Sequence, residues 1–260
     1  MTTSLIHLYN SRTVNQISNF REFADSLDPL KLKRLYLQLF NDAPKRGDRG
    51  KKYFVVEHDG VTSSGNFSNR SEEHLAVALF NATKKGKVFF LNARQKLSFL
   101  DYQFPLKARQ DDKGIGKVDL FCAVGNTTPA VAELKVAGKS NLGDTPLRAL
   151  LEGLAYCALV EANADVIAKE AKGKFGIDLK VGKPELLIMA PLNYWSGYLN
   201  KKAAGSWAIS IKNLADKIYD HIKIRVHFLS LRDAQFEMGL NNKPAELTGN
   251  CRIEPVEALS

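Results

Sequence analysis

Gly116-Lys117-Val118-Asp119-Leu120-Phe121-Cys122-Ala123-Val124, then Gly125-Asn126-Thr127-Thr128-Pro129, then Ala130-Val131-Ala132-Glu133-Leu134-Lys135-Val136 is the stretch that decides the fold. Its two ends are apolar and rich in Val and Leu, as β-strands are. The middle carries turn residues, so the segment is predicted to be a hairpin. Strand side chains alternate between faces. Lys117, Asp119 and Phe121 therefore share one face of the first strand, and Val131, Glu133 and Lys135 share one face of the second. Charges in otherwise buried strands cost free energy unless something compensates them. A divalent cation held by the hard oxygens of Asp119 and Glu133 would compensate two of these.

The flanking segments add polar residues at helical spacing. Ser71 is a good N-cap for a helix over 71–84. Glu72 lies three residues before Leu75 and seven before Leu79, so it shares their inward stripe, with Glu73 further round. Acidic residues in a first helical turn also interact well with the helix dipole, whatever else they do. Beyond the loop at 138–141, Asp144 or Thr145 caps a second helix with Pro146 early in it. Arg148, Glu152 and Tyr156 then step by four and share a face.

Val118-Asp119-Leu120 followed on the next strand by Glu133-Leu134-Lys135 resembles the PD-(D/E)XK nuclease superfamily over residues 70 to 190. The resemblance implies a mixed central β-sheet flanked by helices, restriction-endonuclease-like, within an α/β fold. It implies a metal-dependent nuclease that hydrolyses phosphodiester bonds of DNA with Mg2+ or Mn2+. Asp119 and Glu133 would bind the metal, with the Leu134 backbone carbonyl as a further ligand. Glu72 would be the helix carboxylate that helps hold it. Lys135 would orient the attacking water or stabilise charge on phosphorus, completing a catalytic set of Glu72, Asp119, Glu133 and Lys135. The family often has Gln-x-x-x-Tyr on the following helix, and here Glu152 stands where Gln would sit, four residues before Tyr156. Substrate contact would fall to Lys117, Lys139, Arg148, Glu152 and Tyr156. A catalytically inactive nucleic-acid-binding relative, an RNA-acting nuclease, and an unrelated α/β protein with a structural Glu-x-Lys ion pair remain the competing readings. A role in prokaryotic defence or repair is expected only through the resemblance.

The chain has 260 residues, 45% of them hydrophobic and 25% charged, the composition of a globular protein with room for a large core. No apolar run approaches the ~20 residues that span a bilayer. Met1-Thr2-Thr3-Ser4 lacks the basic start of a signal peptide. Cys122, Cys157 and Cys251 are odd in number and widely spaced, which suits a reducing cytoplasm and gives no zinc site. The net charge of +9 favours a polyanionic partner, DNA first; a homodimer or partner protein is a further expectation.

Residues 1–45 read as a helical extension, with Thr13 capping one helix and Asp28-Pro29 starting another that Pro44 stops. Residues 46–240 read as the nuclease-like domain and 241–260 as an irregular tail. Lys45, Arg46, Arg49, Lys51 and Lys52 form a basic cluster, either a solvated loop or a phosphate contact. Tyr53-Phe54-Val55-Val56, 87–91, 97–106, 185–191 and 222–229 read as strands, and 209–219 as a helix. Tyr194, Trp195 and Tyr198, followed by Lys201 and Lys202, read as an aromatic loop suited either to base stacking or to a hydrophobic lid.

Overall fold

A computed structural model describes residues 4–55, 71–138, 142–200, 204–237 and 245–260. It is a mixed α/β fold around a seven-stranded sheet in the order β1-β2-β3-β4-β5-β6-β9, flanked by helices. The predicted hairpin forms the centre: β3 (Lys117–Val124) and β4 (Thr128–Leu134) pair antiparallel from Val124↔Thr128 to Leu120↔Ala132. On one side lie β1 (Phe89–Asn92) and β2 (Gln95–Pro105), both antiparallel to their neighbours. On the other, β5 (Glu185–Pro191) and β6 (Val226–Arg232) run parallel to β4. Pro105 ends β2, where a missing N–H is tolerated.

The period-two alternation sorts the strands between two cores. Phe121, Val131, Leu186 and Ile188 face one side; Leu120, Ala132, Leu187 and Met189 face the other. The first side is covered by α5 (Pro146–Glu161) and α8 (Ala204–Ile222), and the second by α4 (Ser71–Lys84). The three N-terminal helices, α1 (Leu5–Tyr9), α2 (Phe20–Ser26) and α3 (Pro29–Asn41), bury their apolar faces in the same core as α5. Among the described residues no helix is long and apolar enough to cross a membrane.

Several local expectations change. Thr13 caps no helix: residues 12–15 are turns, and α2 begins only after Asn19. Tyr53 and Phe54 are not in a strand; they lie in a bend whose two amides donate to Glu170 Oε2 at 2.8 and 3.1 Å. The aromatic loop is a helix, α7 (Leu192–Leu199), and Tyr194, Trp195 and Tyr198 are buried, so no ring is free to stack on a base. Lys201 and Lys202 lie outside the described residues. The tail is not irregular throughout. The short strand β7 (Phe236–Glu237) pairs with β8 (Glu246–Leu247), and β9 (Arg252–Pro255) closes the main sheet antiparallel to β6.

Gly153 shows how closely α5 lies on the sheet: a Cβ there would stand 2.4 Å from Leu186 Cδ1 on β5. Gly153→Ala is expected to lower stability by ~1–3 kcal/mol through overpacking, despite Ala's better helix propensity. Urea denaturation checks this, and an unchanged or raised midpoint would contradict the packing.

Candidate active site

The hairpin ladder stops one step short of the predicted carboxylates. Leu120↔Ala132 is the last pair, and beyond it the Asp119 carboxylate takes the place of a backbone acceptor. Its Oδ2 accepts from the Leu134 N–H at 2.9 Å. The neighbouring β2 is also irregular here, with a bulge between Phe99 and Asp101, and Gln103 at φ +47. Gln103 Nε2 reaches Asp119 Oδ1 at 3.4 Å. On its other edge β4 continues into β5, since Lys135 N donates to Met189 O at 2.9 Å. So the sheet opens between β3 and β4 alone, and Asp119, Glu133 and Lys135 flank the opening.

Lys135 Nζ lies at the centre. It donates to Glu133 Oε1 at 2.6 Å, and both side chains are almost fully buried, 3% and 4% exposed. Three more carboxylates surround it: Glu152 Oε2 at 3.8 Å, and Asp144 Oδ2 and Glu72 Oε2 at 3.9 Å. Glu72 comes from the first turn of α4 and accepts from the Val136 N–H. Glu73, next to it, is buried on its own account and is not among the carboxylates around Lys135, so the helix carboxylate of the site is Glu72. Glu152 and Tyr156 come from α5, with the Tyr156 hydroxyl donating to Glu152 Oε1 at 3.1 Å. A Cβ on Gly116 would stand 2.3 Å from that hydroxyl, so the glycine lets the start of β3 approach α5. Tyr9 of α1 closes the flank, its hydroxyl donating to Gly114 O at 2.8 Å.

Five carboxylates thus face two cations, Lys135 and Arg148, among the described residues, a net charge of −3 if all are ionised. The protonation equilibria follow this imbalance. Burial pushes Asp119 up to about 7, with Glu72 and Glu152 adding repulsion while Lys135 and the Leu134 N–H pull it down. Burial raises Glu133 well above the usual carboxylate range even though it bonds Lys135, because Glu152 and Asp119 repel its charge. Burial and the neighbouring Asp144 and Glu152 also raise Glu72. Burial alone would lower Lys135, but the carboxylates around it outweigh that and hold it charged. Asp144 differs: burial disfavours its charge, but the bond from Arg148 and the field of Lys135 keep it below its ordinary value. The imbalance thus disfavours the charged form of Asp119, Glu133 and Glu72 and favours that of the ammonium.

Of the sequence-derived site residues, Glu72, Asp119, Glu133, Lys135, Glu152 and Tyr156 converge here, and Arg148 borders them through its bond to Asp144. Leu134 contributes its N–H to Asp119. Lys117 is exposed at the start of β3, two residues from Asp119. Lys139 lies outside the described residues. In the basic cluster Lys45 donates to Ala162 O at the end of α5, Arg46 to Lys52 O and Lys107 O, and Lys51 to Ala108 O, tying this segment to α5 and to the loop after β2 through neutral carbonyls. Asp144 was expected only as a candidate cap, and Thr145 is the cap, accepting from Arg148 N. The signal for Asp144 was present: the step of four through Arg148, Glu152 and Tyr156 reaches it when carried back one turn.

Among the described residues no three His, Cys, Asp or Glu side chains stand ready to hold a metal ion. The donors nevertheless suit a hard cation in chemistry. Glu133 Oε2 is buried with no hydrogen-bond partner, and the five carboxylates outnumber the two cations beside them. Comparison with protein-family models, curated proteins and solved structures finds no match to this chain.

A raised Asp119 has a definite sign for stability. Its folded pKa exceeds its unfolded one, so its ionised form destabilises the metal-free fold. That penalty is absent below pH ~4, grows through the interval, and is full above pH ~7. Asp119→Asn keeps an acceptor for the Leu134 N–H and removes the charge. It is expected to raise Tm at pH 8 and to leave it nearly unchanged at pH 4, as thermal unfolding in chelator will show; a lower Tm at pH 8 would contradict the electrostatic account.

Proposed function

We propose that this chain is a metal-dependent nuclease of DNA with a restriction-endonuclease-like architecture, as its resemblance to the PD-(D/E)XK superfamily implies. The observation that carries the reading is the convergence of Asp119, Glu133 and Lys135 where β3 and β4 part, with negative charge in excess and one buried Glu133 oxygen left over. Asp119 and Glu133 would hold Mg2+ or Mn2+, with Glu72 directly or through water. When bound there, such an ion polarises a phosphate oxygen and acidifies a water.

The chain's own residues do the rest. Lys135 presents a compact, fixed charge whose remaining N–H groups can orient a water or meet the negative charge developing on phosphorus. Burial keeps competing water away from that charge, which strengthens its field. Asp119, held by the Leu134 N–H and by Gln103, keeps its orientation when its proton leaves. Lys117, exposed at the start of β3, would meet the phosphate backbone on the way in. Glu152 is tied to Tyr156 and lies near Arg148 at 3.8 Å, which moderates its repulsion of phosphate.

One observation favours a second reading. The 2.6 Å Lys135–Glu133 pair satisfies both groups in part, as a structural ion pair would. A panel of duplex DNA, single-stranded DNA and RNA, with and without Mg2+ or Mn2+, separates the two. The nuclease reading expects metal-dependent cleavage, with duplex DNA cut best. Lys135→Ala should then lose about a hundredfold in cleavage rate, ~3 kcal/mol of transition-state stabilisation, while binding falls only modestly. Metal-independent behaviour on every substrate, or a Lys135→Ala protein that cuts at the wild-type rate, would overturn it.

A further inference from the structure

Building on the metal-dependent reading, on which this rests, we propose that Asp144 is a positioning residue that, with Glu152, forms a second seat for the Lys135 ammonium when a divalent cation engages Glu133. An ammonium has three N–H donors. In this structure one donates to Glu133 Oε1 at 2.6 Å, while Glu152 Oε2 and Asp144 Oδ2 stand at 3.8 and 3.9 Å, just outside direct bonding distance. A displacement of about 1 Å would bring either into the range of a charge-assisted bond. A divalent cation on Glu133 would repel the ammonium. Lys135 is sealed from solvent, so its charge needs another carboxylate within the protein.

Asp144 is built for that task to a degree that a loop residue before a helix does not require. Its Oδ2 is held by Arg148, and its Oδ1 accepts from Asn15 Nδ2 at 2.8 Å. The same Asn15 accepts from Thr145 N at 2.8 Å, and the Thr145 hydroxyl donates to Val14 O at 2.6 Å. Behind it, the Tyr194 hydroxyl donates to the Asp144 carbonyl at 2.8 Å. Three separate segments of the chain thus fix one carboxylate beside Lys135, and the N-terminal segment is one of them.

Calorimetric titration with Mn2+ of the wild type, Asp144→Asn, Lys135→Ala and the double variant tests this. Asp144→Asn should weaken Mn2+ about tenfold while Lys135 is present and less than about twofold once Lys135 is gone, because the competition it relieves has disappeared. Asn15→Ala, which changes no charge, should reproduce the pattern more weakly and serves if Asp144→Asn does not fold. Equal losses in both backgrounds would overturn the second seat and make Asp144 either a direct ligand or a general source of negative potential. A wild type that binds Mn2+ without coupling overturns this proposal alone; a wild type that takes up none overturns the metal-dependent reading with it.

Discussion

A buried ammonium cannot stay charged unless carboxylates come to it, and the position of Lys135, one residue past the end of β4, therefore constrains much of the surrounding structure. Desolvating such a charge costs several kcal/mol in a real protein. The bond to Glu133 offsets part of that, and Glu72, Asp144 and Glu152 supply further potential from three other segments. Those segments reach Lys135 only if α4 begins at the edge of the opening, α5 crosses above it, and the chain before α5 is pinned by Asn15 and Tyr194. Carboxylates from α4 and from α5 and the chain before it meet at this one charge, and the turn after α1 holds one of them through Asn15.

The compensation overshoots. One cation would be satisfied by one or two carboxylates, and five are gathered around two. Stability alone does not favour such an excess, since replacing buried charges by apolar groups is often neutral or stabilising. Raised Asp119 and Glu133 beside a lowered Asp144 divide the cluster: burial and like charges work against ionisation of the first two, and Arg148 and Lys135 favour it in the third. Pairs of titratable groups pushed apart in this way are a common property of sites that handle protons or cations. The orphaned Glu133 Oε2 points the same way, because a buried acceptor without a donor is otherwise a net cost.

The central hairpin was legible because strand periodicity is short and local. Alternation placed Asp119, Glu133 and Lys135, and the step of four placed Arg148, Glu152 and Tyr156 on one helix. The parts that were not legible depend on contacts distant in sequence. Arg46 and Lys51 read as a solvated loop or a phosphate contact, and their bonds to the carbonyls of Lys107 and Ala108, 61 and 57 residues on, carry no local signal. Asn193, Ser196 and Gly197 look like loop chemistry. Gly197 instead lets α7 pack against Leu142, which a Cβ would meet at 2.3 Å, and the helix forms because its three aromatics are buried. Residues 252–255 carry little strand signal, and it is the open edge of β6 that makes them a strand. Asn15 had no local signal, since its partners lie about 130 residues away.

Anomalous diffraction from crystals soaked in Mn2+ near pH 8, above the raised pKa of about 7 for Asp119, tests the central claim most directly. The account predicts a manganese peak between the carboxylates of Asp119 and Glu133, bonded at the ~2.0–2.2 Å usual for hard oxygen ligands, with Lys135 Nζ withdrawn from Glu133. A site that remains closed by the Lys135–Glu133 bond while manganese binds elsewhere, or not at all, would contradict it.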